Sequence, residues 1–150
     1  MKKFLLLIFL FMGYGCGYTS LYNEMERDIY VNIKSMKGDY EINNYLKNDL
    51  KISSKKDSLN IHDISLVSKY TKIILAKDAT GDATDYNLKI NIKFIINSNN
   101  NKEIIFEENF KIKKNDDNFE QSNYEKNIKR NFSEIVKEKL ILELIKISDN

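Results

Sequence analysis

Few residues in this chain have types and spacings that could do chemistry. Cys16 is the only cysteine and His62 the only histidine among 150 residues. His62 stands beside Asp63, which gives the pair the composition of a general base and its orienting carboxylate. The rest of a nucleophilic set is missing. No serine is singled out by spacing, and Cys16 lies in a segment with a different use. His62 borders a polar stretch and is expected to be a solvated loop residue. One histidine with no spare cysteine also falls short of a structural zinc site. Asp78, Asp82 and Asp85 surround Gly81 in the manner of a calcium loop, but the closing glutamate of an EF-hand is absent. A solvated turn is the expected reading there. No glycine-rich phosphate cradle occurs. The sequence predicts no catalytic residue, no metal and no enzyme.

The use of Cys16 follows from what precedes it. Lys2 and Lys3 form a short positive region, and Phe4 to Met12 is an unbroken run of nine apolar residues. A bilayer span takes roughly 20 apolar residues, so the run has the length of a signal-peptide core. Gly13-Tyr14-Gly15-Cys16 follows. Small residues before a cysteine are what a lipoprotein signal peptidase accepts. Residues 1–15 are therefore expected to be the signal peptide, and Cys16 the lipidated first residue of the mature chain, carrying a diacylglycerol and an N-acyl chain. Two or three acyl chains anchor stably, at about 0.8 kcal/mol per buried methylene. Gly13 stands where leucine is usual. The alternative is a general signal-peptidase site, since Gly13 and Gly15 also make a small-x-small pattern. Gly17 occupies the place where aspartate would signal inner-membrane retention, which points to the outer membrane, periplasmic side.

Composition narrows the partners. With 42% hydrophobic residues, the chain can build one core. Without Lys2 and Lys3, its 24 basic residues fall to 22, equal to the 22 acidic ones. A neutral mature chain argues against nucleic acid, which requires a basic excess. Arg27 and Arg130 are the only arginines, so phosphate contacts would rest on lysine point charges and not on bidentate forks.

The elements follow from periodicity. Residues 16–27 read as a tether and 28–150 as a single domain. Ile29, Val31 and Ile33 alternate with polar neighbours across 28–36, a half-buried strand. Lys37-Gly38-Asp39 reads as a turn. Ile42, Tyr45, Leu46 and Leu50 form a helical stripe across 40–52, capped by Asp39. After a polar loop at 53–60, residues 64–76 have strand composition, and 77–85 is a polar break. Tyr86, Leu88, Ile90, Ile92 and Phe94 define the clearest strand, over 86–97. A turn at 98–101 leads to its hairpin partner, 102–114, marked by Ile104, Phe106, Phe110 and Ile112. A polar loop at 115–123 precedes a long helix, 124–147, with a stripe of Tyr124, Ile128, Phe132, Ile135 and Val136. From Leu140 the helix is apolar over most of its circumference. Its end is expected to tuck under the sheet or continue as a strand, with entry into a partner as the alternative. The order β-α-β-β-β-α predicts an α+β two-layer sandwich, two helices on a four-stranded, mostly antiparallel sheet. The first two strands can lie parallel through the helical crossover.

Three short stretches carry a family resemblance. Cys16-Gly17-Tyr18-Thr19-Ser20-Leu21-Tyr22 resembles the mature start of LptE, the lipopolysaccharide-assembly lipoprotein of alphaproteobacteria, with Ser20 in place of a proline. Asp82-Ala83-Thr84-Asp85-Tyr86, leading into an alternating strand, is similar to that family's central loop and strand. Ser122-Asn123-Tyr124, opening a charged final helix, is similar to its end. The order of elements agrees, so the resemblance covers the mature chain. It implies a plug inside the outer-membrane β-barrel LptD, assistance in assembling that barrel, and contact with lipopolysaccharide on its way to the outer leaflet. Under that reading Lys111, Lys113 and Lys114 are candidate lipopolysaccharide contacts, against the plainer alternative of a solvated strand end. A second reading, from a different class, is a lipid carrier or chaperone holding an acyl chain between helices and sheet. That requires a hollow apolar pocket, whereas a plug requires a filled core.

Overall fold

The computed structural model describes residues 29–53, 58, 60–97 and 101–148. The expected signal peptide 1–15, Cys16 and the tether 16–27 lie outside these residues, as do most of the 53–60 loop and Ser98 to Asn100 of the hairpin turn.

The elements run β1 (Ile29–Gly38), α1 (Tyr40–Ser53), β2 (Asn60–Lys77), β3 (Ala83–Ile96), β4 (Lys102–Lys113) and α2 (Asn118–Ser148). The sheet order is β1-β2-β3-β4. β1 and β2 are parallel, joined by α1 as the crossover, and the remaining pairs are antiparallel. The predicted α+β two-layer architecture is the one observed.

Local chemistry explains each element. Asp39 caps α1, its Oδ1 accepting the Ile42 backbone N–H at 3.0 Å, and Glu41 and Lys51 complement the helix dipole at the two ends. Ile42, Leu46 and Leu50, one turn apart, are buried, each contributing roughly 1.5–3 kcal/mol by leaving water. They meet the inward row of the sheet: Ile64 and Leu66 of β2, and Ile90, Ile92, Phe94 and Ile96 of β3. The edge-on pairs Phe94–Phe106 (6.1 Å) and Phe110–Phe132 (6.0 Å) tie β4 to its neighbour and to α2.

Several expectations are corrected. Lys37 and Gly38 belong to β1 and not to a turn, because a register shift between Ile33 and Ser35 lets pairing with β2 continue to Ser68. β2 begins at Asn60 and not Ile64, drawn into the ladder by its parallel neighbour. β3 begins at Ala83, where a tight Asp78–Asp82 turn ends. α2 begins at Asn118, six residues before the predicted start at Tyr124, since Asp117 Oδ1 accepts the N–H groups of Phe119 (2.7 Å) and Glu120 (3.2 Å).

The buried face of α2 also differs from the predicted stripe. Tyr124 and Ile135 are exposed, and Gln121, Lys129 and Ser133 are buried beside Phe132 and Val136. Rotating the helix this way brings its charged residues onto partners on the sheet and on α1. The apolar end stays helical and is enclosed by the domain itself: Leu140, Ile141 and Leu144 are in the core, with Ile145 and Ile147 packed against it.

Candidate functional site

The three sequence-predicted lysines lie where β4 ends. Even-numbered residues of β4 face the helices, as buried Ile112 shows, so Lys111 and Lys113 project from the outer face of the sheet. Lys111 sits opposite Asn87 and Lys113 opposite Asp85. Lys114 follows the strand, its backbone N–H bonded to the Thr84 carbonyl at 2.7 Å. All three side chains are exposed. Lys113 and Lys114 line a shallow open concavity with Asn115, Asp116, Gln121 and Tyr124, and Lys111 stands outside it.

Ion pairing on the outer face distinguishes this end from the rest. In the middle and towards the opposite end, lysines are neutralised in cross-strand pairs: Lys89 with Glu107 (2.7 Å), Lys93 with Glu103 (3.0 Å), and Lys34 with Asp63 (3.2 Å). No such carboxylate pair engages Lys111, Lys113 or Lys114 among the described residues. Asp85 stands across from Lys113 and Asp116 shares the concavity, so the end carries both signs, with three lysines outside any ion pair and available to an anionic group as monodentate contacts.

Behind the concavity lies a polar network that sequence reasoning missed. Gln121 joins the two, its Oε1 accepting the Asn115 N–H at 2.7 Å and its Nε2 donating to Glu125 at 2.6 Å. Glu125 also accepts from the Tyr70 hydroxyl at 2.7 Å and pairs with Lys72, whose ammonium lies 4.0 Å from the centre of the Tyr86 ring. One turn on, Lys129 donates to Asp39 Oδ2 at 2.9 Å and Glu41 Oε2 at 2.8 Å, and sits 4.1 Å over the Tyr70 ring. Burial disfavours the Lys129 charge, but Glu41 and Asp39 outweigh it and raise the pKa. Burial likewise opposes the Glu125 charge, and hydrogen bonds from Lys72, Tyr70 and Gln121 outweigh it and lower the pKa. Burial first, then the Glu125 carboxylate, push the Tyr70 phenol well above its usual range. The network clamps α2 to β2 and to the start of α1. The one sequence signal for it is the spacing of Gln121, Glu125 and Lys129 at successive helical turns.

His62 is not a loop residue: it lies within β2, opposite Val31. Its Nε2 is 3.0 Å from the Ser148 hydroxyl. That hydroxyl donates its only proton to the Leu144 carbonyl at 3.1 Å, so His62 is the donor to Ser148 and does not act as its base. Asp63 points to the opposite face, as the next strand residue must, and accepts from Asn32 Nδ2 at 2.7 Å. The apparent dyad is therefore a staple between β2 and the C-terminus of α2. Burial lowers the His62 pKa below its ordinary 6.5. Neutral His62 in the folded chain means the unfolded chain takes up protons first as pH falls. Stability then declines as pH drops below about 6.5 towards the folded value. His62→Gln is expected to flatten urea-unfolding midpoints between pH 7 and 5, and an unchanged slope would contradict this assignment.

The acidic turn is also self-contained. Asp78 Oδ1 accepts from the Thr80 backbone (2.9 Å), the Thr80 hydroxyl (2.7 Å) and the Asp82 backbone (2.9 Å). Asp85 is held by the Thr84 hydroxyl at 2.7 Å. Asp78 and Asp82 build a turn and Asp85 lies in β3, and no group of three metal-binding side chains occurs among the described residues. No described helix is long and apolar enough to cross a membrane.

No protein-family model matches the chain, and no curated protein matches it. Solved structures do. Rare lipoprotein B from Shewanella oneidensis aligns with a TM-score of 0.54 at 14% identity, covering 78% of this chain and 99% of that one. A Caulobacter crescentus chain described as a lipoprotein aligns with a TM-score of 0.52 at 11% identity, covering 85% of this chain and 95% of that one. At such identities the likeness is one of fold: this chain has the α+β sandwich of these two proteins.

Proposed function

We infer that the protein is an outer-membrane lipoprotein of the LptE type, anchored through acyl chains on Cys16. In this reading it seats in the lumen of an LptD-like β-barrel and supports assembly of that barrel for lipopolysaccharide transport to the outer leaflet. The observation that carries the reading is a fold extending over 99% of rare lipoprotein B, on a chain whose sequence independently presents a lipidation cysteine. The work is binding and scaffolding without turnover. A filled interior suits it: Leu46, Leu66, Ile92, Phe94 and Leu140 are fully buried against one another in the layer where a lipid carrier would need a cavity.

Depletion of the protein is expected to reduce the folded, heat-modifiable form of the barrel and the lipopolysaccharide on the cell surface together. Normal levels of both after depletion would refute the reading. The lysine end of the sheet supplies a finer test. Charge reversal of Lys111, Lys113 and Lys114 is expected to weaken lipopolysaccharide binding roughly tenfold, each exposed contact contributing up to about 1 kcal/mol. Unchanged binding in a pull-down with immobilised lipopolysaccharide would remove these residues from the contact surface.

A further inference from the structure

β2 outlasts its neighbour. β1 leaves the sheet at Gly38, opposite Ser68, and Asp39 then starts α1. β2 continues to Lys77, with β3 as its only strand partner over 69–77 among the described residues. The Ser68 carbonyl accepts the Asp39 N–H at 3.3 Å and so points to the β1 side. Backbone groups alternate sides along a strand, so Tyr70, Lys72 and Ile74 turn their N–H and C=O groups to that same side. No described strand receives them.

This edge differs from the other one. β4 also has a side that no described strand pairs, but Lys102, Glu103, Glu107, Glu108, Lys111 and Lys113 interrupt it with charges of both signs, the usual defence of an edge strand. The β2 edge carries Ile73, Ile74 and Leu75 in succession, 48%, 50% and 49% exposed. Its charges, Lys69, Lys72 and Lys77, are all positive, with no acid between 69 and 77. Glu125 pairs with Lys72, which leaves Lys69 and Lys77 at the two ends. An antiparallel second copy centred on Ile73 would set Lys69 of each chain against Lys77 of the other, like charges in direct opposition. An extended segment with acidic ends meets the same edge with complementary charge.

The geometry points to a strand-docking site at 69–77: this edge takes an extended segment of another protein as an added strand, with alternating apolar and polar residues and an acidic side chain at each end. The site does not rest on the barrel reading above. The probe is a synthetic peptide of alternating valine and threonine with glutamate at both ends, added to the full chain and followed by amide hydrogen exchange. Exchange is expected to slow at Tyr70, Lys72 and Ile74. N-methylation of the peptide's edge-facing amides, or lysine in place of its glutamates, is expected to weaken binding at least about tenfold. Ile74→Pro removes an N–H that faces away from β3 and is expected to abolish binding. Lys69→Glu with Lys77→Glu is a second variant that leaves the backbone alone, and it is expected to reverse the preference towards the lysine-ended peptide. Equal binding of the methylated peptide, protection elsewhere, or no binding at millimolar peptide would overturn the site. A dimer of the chain protecting the same amides would also overturn it, by assigning the edge to a second copy.

Discussion

Gly38→Ala is expected to destabilise the domain by about 3 kcal/mol, measured as a lower urea midpoint with an unchanged slope. Two independent effects act at this position. Gly38 has φ of 103°, a region that L side chains rarely adopt. A Cβ there would also lie 1.7 Å from the backbone oxygen of Ser68. That oxygen belongs to a paired strand and cannot yield as a flexible side chain would. Accommodation requires β1 to separate from β2 or α1 to lose its start, where Asp39 both caps the helix and binds Lys129. Gly81 is the internal control. It also has positive φ, 93°, but a Cβ there meets nothing within 4 Å. Gly81→Ala is therefore expected to show backbone strain alone, a smaller loss. Equal losses at the two glycines would contradict the steric part of the account.

Lys129→Ala is expected to cost about 2–3 kcal/mol, below the 3–5 kcal/mol range for breaking a fully buried pair. The Lys129 side chain is 9% exposed, whereas Asp39 and Glu41 are 17% and 35% exposed. Water can therefore partly resolvate the carboxylates left behind. The pH dependence tests the cause. Pairing raises the Lys129 pKa above its ordinary 10.5, so its contribution is complete below that value. It is lost as pH rises through the folded value. The difference between wild type and Lys129→Ala is therefore expected to hold at neutral pH and shrink in strongly alkaline solution. A difference independent of pH would mean that the loss is one of packing over Tyr70 and not of charge.

Legibility in the sequence divides along physical lines. The β3–β4 hairpin is plain because β3 buries one face and β4 turns Ile104, Phe106, Phe110 and Ile112 to the same side, and alternation such as Tyr86 to Phe94 has no competing explanation. The β1–α1–β2 crossover follows from the stripe Ile42, Leu46 and Leu50 between two strand-like runs. The start of α2 is obscured because Asn118 to Asn123 has weak helix propensity, and a single capping aspartate overrides it. Asn60 to Asp63 is polar and becomes strand only because β1 offers a ladder, a non-local cause. The clamp around Glu125 and Lys129 is hidden for a deeper reason. Lysine and glutamate are surface residues by default, and only the three-dimensional meeting of α1, β2 and α2 makes their burial tolerable. The lysines at the end of β4 were visible as a cluster. Their lack of ion-pair partners, against the paired lysines elsewhere on the same face, required the cross-strand register.

These observations give the proposed plug its physical form. The interior is filled, the long helix is fixed to the sheet by a buried charge clamp, and the outer sheet face is open among the described residues. That face carries paired lysines over most of its length and unpaired ones where β4 ends. Such a body suits service as a fixed partner surface.

The most direct test of the central claim is a mild-detergent pull-down of the tagged native protein from outer membranes, with mass spectrometry of what accompanies it. The account predicts a large β-barrel of the lipopolysaccharide-assembly type in equimolar amount, bound to a chain whose first residue is acylated Cys16. Recovery of the protein alone, or with a soluble envelope protein in place of the barrel, would contradict it.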